Sequence, residues 1–133
     1  MLKGVTVLDL STVGPAARAA RMLADYGARV VKVGAPVGDG ADAPQIEPPF
    51  FAYGGHRGME RVRLDLKSDE GKAAFLRLAA DADVVIESFR PGVVDRLGVG
   101  YEAVKAVNPD VVYCATSGYG QSGPKSQWAG HDV

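Results

Sequence analysis

At 133 residues, 47% hydrophobic and 23% charged, the chain has the size and composition of one globular domain with a real core, which excludes a disordered or fibrous protein. Its 15 basic and 16 acidic residues are interspersed and leave a formal net charge of -1, so neither nucleic acid nor an anionic membrane has an electrostatic footprint to bind, and a small-molecule or protein partner is expected. A lone cysteine, Cys114, excludes an intramolecular disulfide. No window is apolar enough to span a membrane and no long apolar leader follows Met1, so a cytoplasmic setting is expected.

The β-branched run from Val5 to Leu10 predicts a first strand, and Ser11 to Pro15 behind it supplies turn and cap residues. Ala16, Ala19, Ala20 and Leu23 then recur at helical spacing, with Gly27 placed as a C-terminal cap. Arg29 to Val33 reads as a second strand, and two apolar strands joined by a helix imply a right-handed parallel unit. From Gly34 to Arg61 a long loop with four prolines interrupts the pattern; loops of that length are usually functional or mobile.

Val62 to Leu66 alternates like a third strand, and Ser68-Asp69-Glu70 opens a helix with a capping serine and two acids suited to the helix dipole. Phe75, Leu78, Ala79 and Ala82 are its expected buried stripe. Asp83 to Glu87 is the fourth strand, followed by Ser88 to Gly92 and a helix start. Tyr101 to Val107 is a further short helix stopped at Asn108-Pro109, and Val111 to Thr116 is the last strand, with Cys114 expected as a core thiol. The whole is a single α/β domain over residues 1–133, a Rossmann-like parallel sheet flanked by helices.

In such sheets ligands collect at the carboxyl ends of the strands, which three loops leave here: Ser11 to Pro15, Ser88 to Gly92 and Ser117 to Gly130. The usual glycine fingerprints for dinucleotides and nucleoside triphosphates are absent, as is a Gly-x-Ser-x-Gly elbow. The two histidines, His56 and His131, lack the spacing of zinc ligands, so no metal or redox cofactor is expected. His131 with Asp132 behind Gly130 is either a hydrogen-bonded surface pair or a proton-moving group, imidazole being suited to that work near neutral pH. Arg90 and Arg96 follow the fourth strand as phosphate contacts or as solvated charges. Arg57, Arg61, Arg63 and Lys67 make a basic run beside the third strand, which spacing alone reads as a solvated face.

Several stretches, in order and over nearly the whole chain, resemble the N-terminal part of the class III CoA-transferase superfamily. They are Val-Thr-Val-Leu-Asp-Leu, Gly14-Pro15, Met-Leu-Ala-Asp-Tyr-Gly-Ala-Arg-Val-Val-Lys-Val, Leu-Asp-Leu-Lys-Ser-Asp-Glu-Gly, Ala-Asp-Val-Val-Ile-Glu-Ser-Phe-Arg-Pro-Gly, Arg-Leu-Gly-Val-Gly-Tyr-Glu and Ser-Gly-Tyr-Gly-Gln-Ser-Gly-Pro. Within the superfamily, Gln127 to Asp132 is similar to the branch of α-methylacyl-CoA racemases, in which a Gly-His-Asp carries the catalytic histidine. The resemblance implies His131 as a base at the α-carbon of a 2-methylacyl-CoA thioester, with Asp132 in support and an opposing aspartate beyond residue 133. It further implies Arg90, Arg96 and Lys67 near the CoA phosphates, Leu64 and Asp65 near its adenine, and Arg57 as a further CoA contact. The CoA thioester is the substrate, the fold is one portion of a larger interlocked whole, and the expected partner is a second copy or a full-length family member.

Two positions depart from the pattern: Gly34-Ala35 replaces an acidic and a basic residue after the second strand, and Met59-Glu60 replaces a later positive charge. The alternatives to a racemase are CoA transfer between carboxylic acids, within the same family, and a non-catalytic CoA-binding or assembly module. The last predicts an exposed apolar sheet face or edge.

Overall fold

The computed structural model describes residues 1–11, 14–36 and 56–130. The long loop expected after the second strand therefore lies largely outside the described residues, as do His131 and Asp132. Five strands, β1 (Thr6–Asp9), β2 (Arg29–Gly34), β3 (Glu60–Arg63), β4 (Val84–Glu87) and β5 (Val112–Ala115), form one sheet in the order β3-β2-β1-β4-β5. Every neighbouring pair is parallel. Among the described residues four helices connect them: α1 (Gly14–Asp25), α2 (Asp69–Ala80), α3 (Val93–Leu97) and α4 (Tyr101–Val107).

Side chains alternate across the strands and sort the core into two clusters. On one face Val7, Val30 and Ile86 meet Ala16 and Ala20 of α1. On the other, Leu8, Leu10, Val31, Val33 and Val85 meet Phe75 and Ala79 of α2, Val94 of α3 and Val104 of α4. Phe75 is wholly buried, a burial worth roughly 1.5–3 kcal/mol. Small alanines on α1 let it lie close to β1, β2 and β4, and they are buried at 16, 17 and 20 rather than at 19.

α2 begins as expected, with Ser68 Oγ accepting from Gly71 N–H at 3.0 Å and Asp69 and Glu70 in the first turn. Its stripe is narrower than expected. Phe75 and Ala79 face the sheet, whereas Leu78, rotated off that line, is 39% exposed.

Two further expectations are corrected. The third strand runs over Glu60–Arg63, not from Val62 to Leu66. The register Val31↔Glu60 to Gly34↔Arg63 exhausts β2, and Asp65 then turns the chain by accepting from Lys67 N–H at 3.0 Å. Val62, Leu64 and Leu66 keep their apolar alternation through that turn because all three pack against one core cluster. Cys114 is exposed, not a core thiol. It lies on edge strand β5, where Val112 is also 61% exposed; the core cluster beneath α1 draws on β1, β2 and β4 and includes no residue of β5.

Candidate functional site at the carboxyl ends of the strands

The strand order reverses direction between β1 and β4, and the crevice outside the carboxyl ends at such a reversal is where ligands bind in open α/β sheets. Leu10 N–H donates to the Ile86 carbonyl at 2.8 Å, holding the two strands together one residue beyond β1. Behind it lies a buried ionic group. Asp9 and Lys32 are register partners, and Lys32 Nζ lies 2.9 Å from Asp9 Oδ2 with both side chains nearly out of water. Asp9 Oδ1 also accepts from Ser11 N–H at 2.8 Å and from Ser11 Oγ at 2.6 Å, while Lys32 Nζ donates to the Ser11 carbonyl oxygen. Desolvating two charges is expensive, and here the remaining donors and acceptors are supplied by the first residue of the loop. The pair therefore fixes where the chain leaves β1.

The loop after β4 rests on Glu87, which is 2% exposed. Its Oε2 accepts from Phe89 N–H at 2.7 Å. Its carbonyl oxygen accepts from both Thr116 N–H and Thr116 Oγ1 at 3.0 Å, tying the exits of β4 and β5 together. Burial pushes the Glu87 carboxyl above the usual glutamate range, against the Phe89 N–H and with help from the charge of Asp95. Arg90 and Arg96 are both exposed beside this turn. Gly92 has φ +81°, and Arg96 Nη1 lies 3.3 Å from where a Cβ on Gly92 would stand, so the guanidinium folds back over the turn that carries Arg90.

The loop after β5 crosses itself. A Cβ on Gly118 would lie 2.4 Å from the Cα of Gly130, and the reverse holds, so two backbone segments touch at a distance only glycine permits. Gln127 Nε2 donates to the Pro91 carbonyl oxygen at 3.3 Å, bridging to the β4 loop. Tyr119 and Trp128 meet edge to face with centroids 6.0 Å apart, and Lys125 Nζ lies 5.1 Å over the Trp128 ring.

Leu64, Asp65 and Lys67 occupy the turn after β3. Leu64 is partly buried, whereas Asp65 and Lys67 are exposed. The turn is tightly built: Ser68 Oγ donates to the Asp65 carbonyl oxygen at 2.9 Å, and a Cβ on Gly71 would lie 1.9 Å from that same oxygen. β3 and β4 are three strand spacings apart, about 14 Å, so Lys67 and the two arginines lie along one rim that an elongated ligand could span. Arg57 is not brought to that rim. It precedes β3, and its carbonyl oxygen accepts from Arg21 Nη1 in the last half of α1, at the amino ends of the strands.

Sequence reasoning passed over Asp9, Lys32 and Glu87. The available signal was a charge inside an otherwise apolar strand, in Val-Leu-Asp-Leu, Val-Val-Lys-Val and Val-Ile-Glu, which a buried strand tolerates only when paired or hydrogen-bonded.

The model of the family described as CoA-transferase family III matches residues 2–133. The chain is 38% identical over 143 residues to succinate–glutarate CoA-transferase of Agrobacterium fabrum, covering 98% of this chain and 36% of that one. It is 39% identical over 132 residues to the human α-methylacyl-CoA racemase, covering 99% of this chain and 32% of that one. Among solved structures, a CAIB/BAIF family protein from Brucella suis superposes with a TM-score of 0.87 at 35% identity, covering 98% of this chain and 37% of that one. The chain thus spans about a third of the length of the curated relatives it matches.

Proposed function

The chain belongs to CoA-transferase family III, and from that premise we propose that it is the CoA-thioester-binding portion of an α-methylacyl-CoA racemase-like enzyme. The observation that carries the racemase reading is His131, directly behind Gly130 in the stretch Gln127 to Asp132. The loop crossing supports it, because Gly130 returns to the exit of β5, and Gln127 ties this loop to the β4 loop that carries Arg90 and leads into the helix of Arg96.

A thioester carbonyl acidifies the proton on the neighbouring carbon. His131 takes that proton, the electron pair passes into an enolate, and return of a proton to the opposite face inverts the centre. Asp132 orients the imidazole. The opposing base is the aspartate that the family resemblance puts beyond residue 133. Arg90, Arg96 and Lys67 hold the CoA phosphates along the rim, with the adenine against Leu64 and Asp65. Arg57, leading into β3 from the far end of the sheet, is the most remote of the proposed contacts. No metal or redox step is required, since the proton leaves and returns without change of oxidation state.

Deuterium uptake at the α-carbon of a 2-methylacyl-CoA in heavy water, followed by mass spectrometry on the purified chain and on His131→Ala, tests this reading. Exchange lost in the variant supports it. Binding of the thioester without exchange by a folded chain overturns catalysis and leaves a CoA-binding or assembly module.

A second reading, CoA transfer between carboxylic acids, is favoured by relatives named as CoA-transferases. It proceeds through a carboxylate nucleophile and a covalent CoA-enzyme adduct, so trapping such an adduct would select it over proton exchange.

A further inference from the structure

Along the carboxyl rim of the sheet, each pair of neighbouring strand exits is tied at a definite point. Thr116 ties β5 to the Glu87 carbonyl oxygen of β4, and Leu10 N–H ties β1 to the Ile86 carbonyl oxygen of β4. Leu64 N–H donates to the Gly34 carbonyl oxygen at 2.9 Å, tying the turn after β3 to the end of β2. These ties all end on backbone carbonyls. The tie between β2 and β1 is instead ionic, with Lys32 Nζ against Asp9 and Ser11. In the order β3-β2-β1-β4 it stands midway between the exit that leads to Lys67 and the exit that leads to Arg90 and Arg96.

The group offers nothing to a ligand directly. Each of the three N–H donors of Lys32 Nζ has an acceptor within reach: Asp9 Oδ2 at 2.9 Å, Ser11 Oγ at 3.3 Å and the Ser11 carbonyl oxygen. Asp9 Oδ1 accepts twice from Ser11, and both residues are wholly buried. The two charges cancel, so no field is left over to draw a phosphate. Val7 and Val30 belong to the core under α1, and Asp9 and Lys32, two residues further along the same strands, share that face. For stability alone an apolar pair of similar volume is often as good, because desolvation takes back most of what the attraction gives. Apolar side chains could not, however, hold Ser11 by its N–H, its hydroxyl and its carbonyl oxygen at once.

We infer that Asp9 and Lys32 are positioning residues for an elongated anionic ligand: they fix the β2 half of the rim against the β1 half and so set the span between Lys67 and the two arginines. The inference rests on the CoA reading, in which one ligand reaches both ends. A ligand that touches both halves gains from a fixed span, because it meets its second contact without further ordering. A ligand confined to one half gains nothing from it.

The test compares coenzyme A, which reaches both ends, with adenosine 3′-monophosphate, which reaches the β3 end alone. Both are titrated by NMR into the isotopically labelled chain and into a double variant, Asp9→Leu with Lys32→Met, whose folding is established by urea denaturation. Affinity for coenzyme A should fall about tenfold or more, the loss of one charge-assisted phosphate hydrogen bond, while affinity for adenosine 3′-monophosphate stays unchanged. If the double variant fails to fold, Ser11→Ala decides, since it removes the hydroxyl and leaves the ion pair and both backbone bonds of residue 11 in place; the same selective loss, smaller in size, is expected of it. Equal loss for both ligands, which a general loosening of the sheet would produce, or undiminished affinity for coenzyme A overturns the inference. A wild-type chain that binds no coenzyme A overturns the CoA reading and the positioning role with it, a failure told apart from the other because it appears before any substitution is made.

Discussion

β3 and β5 are both edge strands of one sheet, and they meet water in opposite ways. β3 presents Glu60, Arg61 and Arg63, and Glu60 accepts a bidentate pair of hydrogen bonds from Arg29 of β2 at 2.8 and 2.7 Å. β5 presents Val112, Cys114 and Ala115. A charged edge discourages another strand from pairing with it, whereas an apolar edge with open backbone groups invites one. Among the described residues, the β3 edge is thus lined by charge and the β5 edge is left apolar. The contrast extends to the turns. The Asp65–Gly71 turn after β3 is sterically locked, whereas the loop after β5 is almost wholly exposed and held at its crossing and by Gln127.

The largest expected effect is on the locked side. Gly71→Ala puts a Cβ into the Asp65 carbonyl oxygen, so the turn and α2 must separate, and urea denaturation should show a loss of about 3 kcal/mol or more. Gly120→Ala, in the β5 loop, meets nothing within 4 Å and carries only the strain of φ +84°, about 1 kcal/mol. Equal losses at the two glycines would erase the distinction between the sides.

Next is the β5 edge itself. Cys114 should react with a thiol reagent in the folded chain at a rate close to that of a small free thiol. Val112→Lys should reduce self-association in sedimentation at high concentration, with stability changed by no more than about 0.5 kcal/mol. A protected Cys114 together with a concentration-independent wild type would mean that the edge is already covered.

Glu87, at the exit of β4 beside β5, gives a pH signature. Its carboxyl is raised in the folded state, chiefly by burial, so its contribution to stability is complete below the ordinary glutamate pKa and is lost as pH rises through the raised one. Denaturation midpoints of wild type and Glu87→Gln, compared from about pH 4 to pH 7, should move in favour of the variant as pH increases. A constant difference would show that Glu87 titrates as it does in water.

The smallest effect belongs to the charged edge. Glu60 and Arg29 hold each other's charged forms, each mainly through their mutual hydrogen bonds, yet both are solvent-exposed, and Glu60→Gln should leave the melting temperature unchanged within error. A clear fall would show that the β3 edge depends on its ion pair for more than solubility.

The alternation of strand and helix was legible because its cue is local: β-branched runs for β1, β2 and β4, and a capping serine followed by acids for α2. β3 was read two residues late because Val62, Leu64 and Leu66 stay apolar through the Asp65 turn, and a period of two does not record where the partner strand runs out. Cys114 was misread for a related reason. An apolar strand reports that both of its faces can be buried, not whether a helix lies over each. Of the site, Arg90 and Arg96 could be placed from their position behind β4. The Asp9–Lys32 pair needs the register between two strands that are 23 residues apart at those positions, which no spacing along the chain reveals. Leu64, Asp65 and Lys67 came from family resemblance, and their turn supplies the geometry.

The contact between Gly118 and Gly130 makes the segment between them a closed bight whose two feet stand together. Chain added within such a bight changes the closure entropy only slowly, by roughly 0.6 kcal/mol per doubling of length. Tyr119, Lys125 and Trp128 can therefore be exchanged, or the bight lengthened, without shifting the point from which the chain departs at Gly130. The segment is a modular cassette: its length and its side chains can vary while the crossing of Gly118 and Gly130 stays fixed.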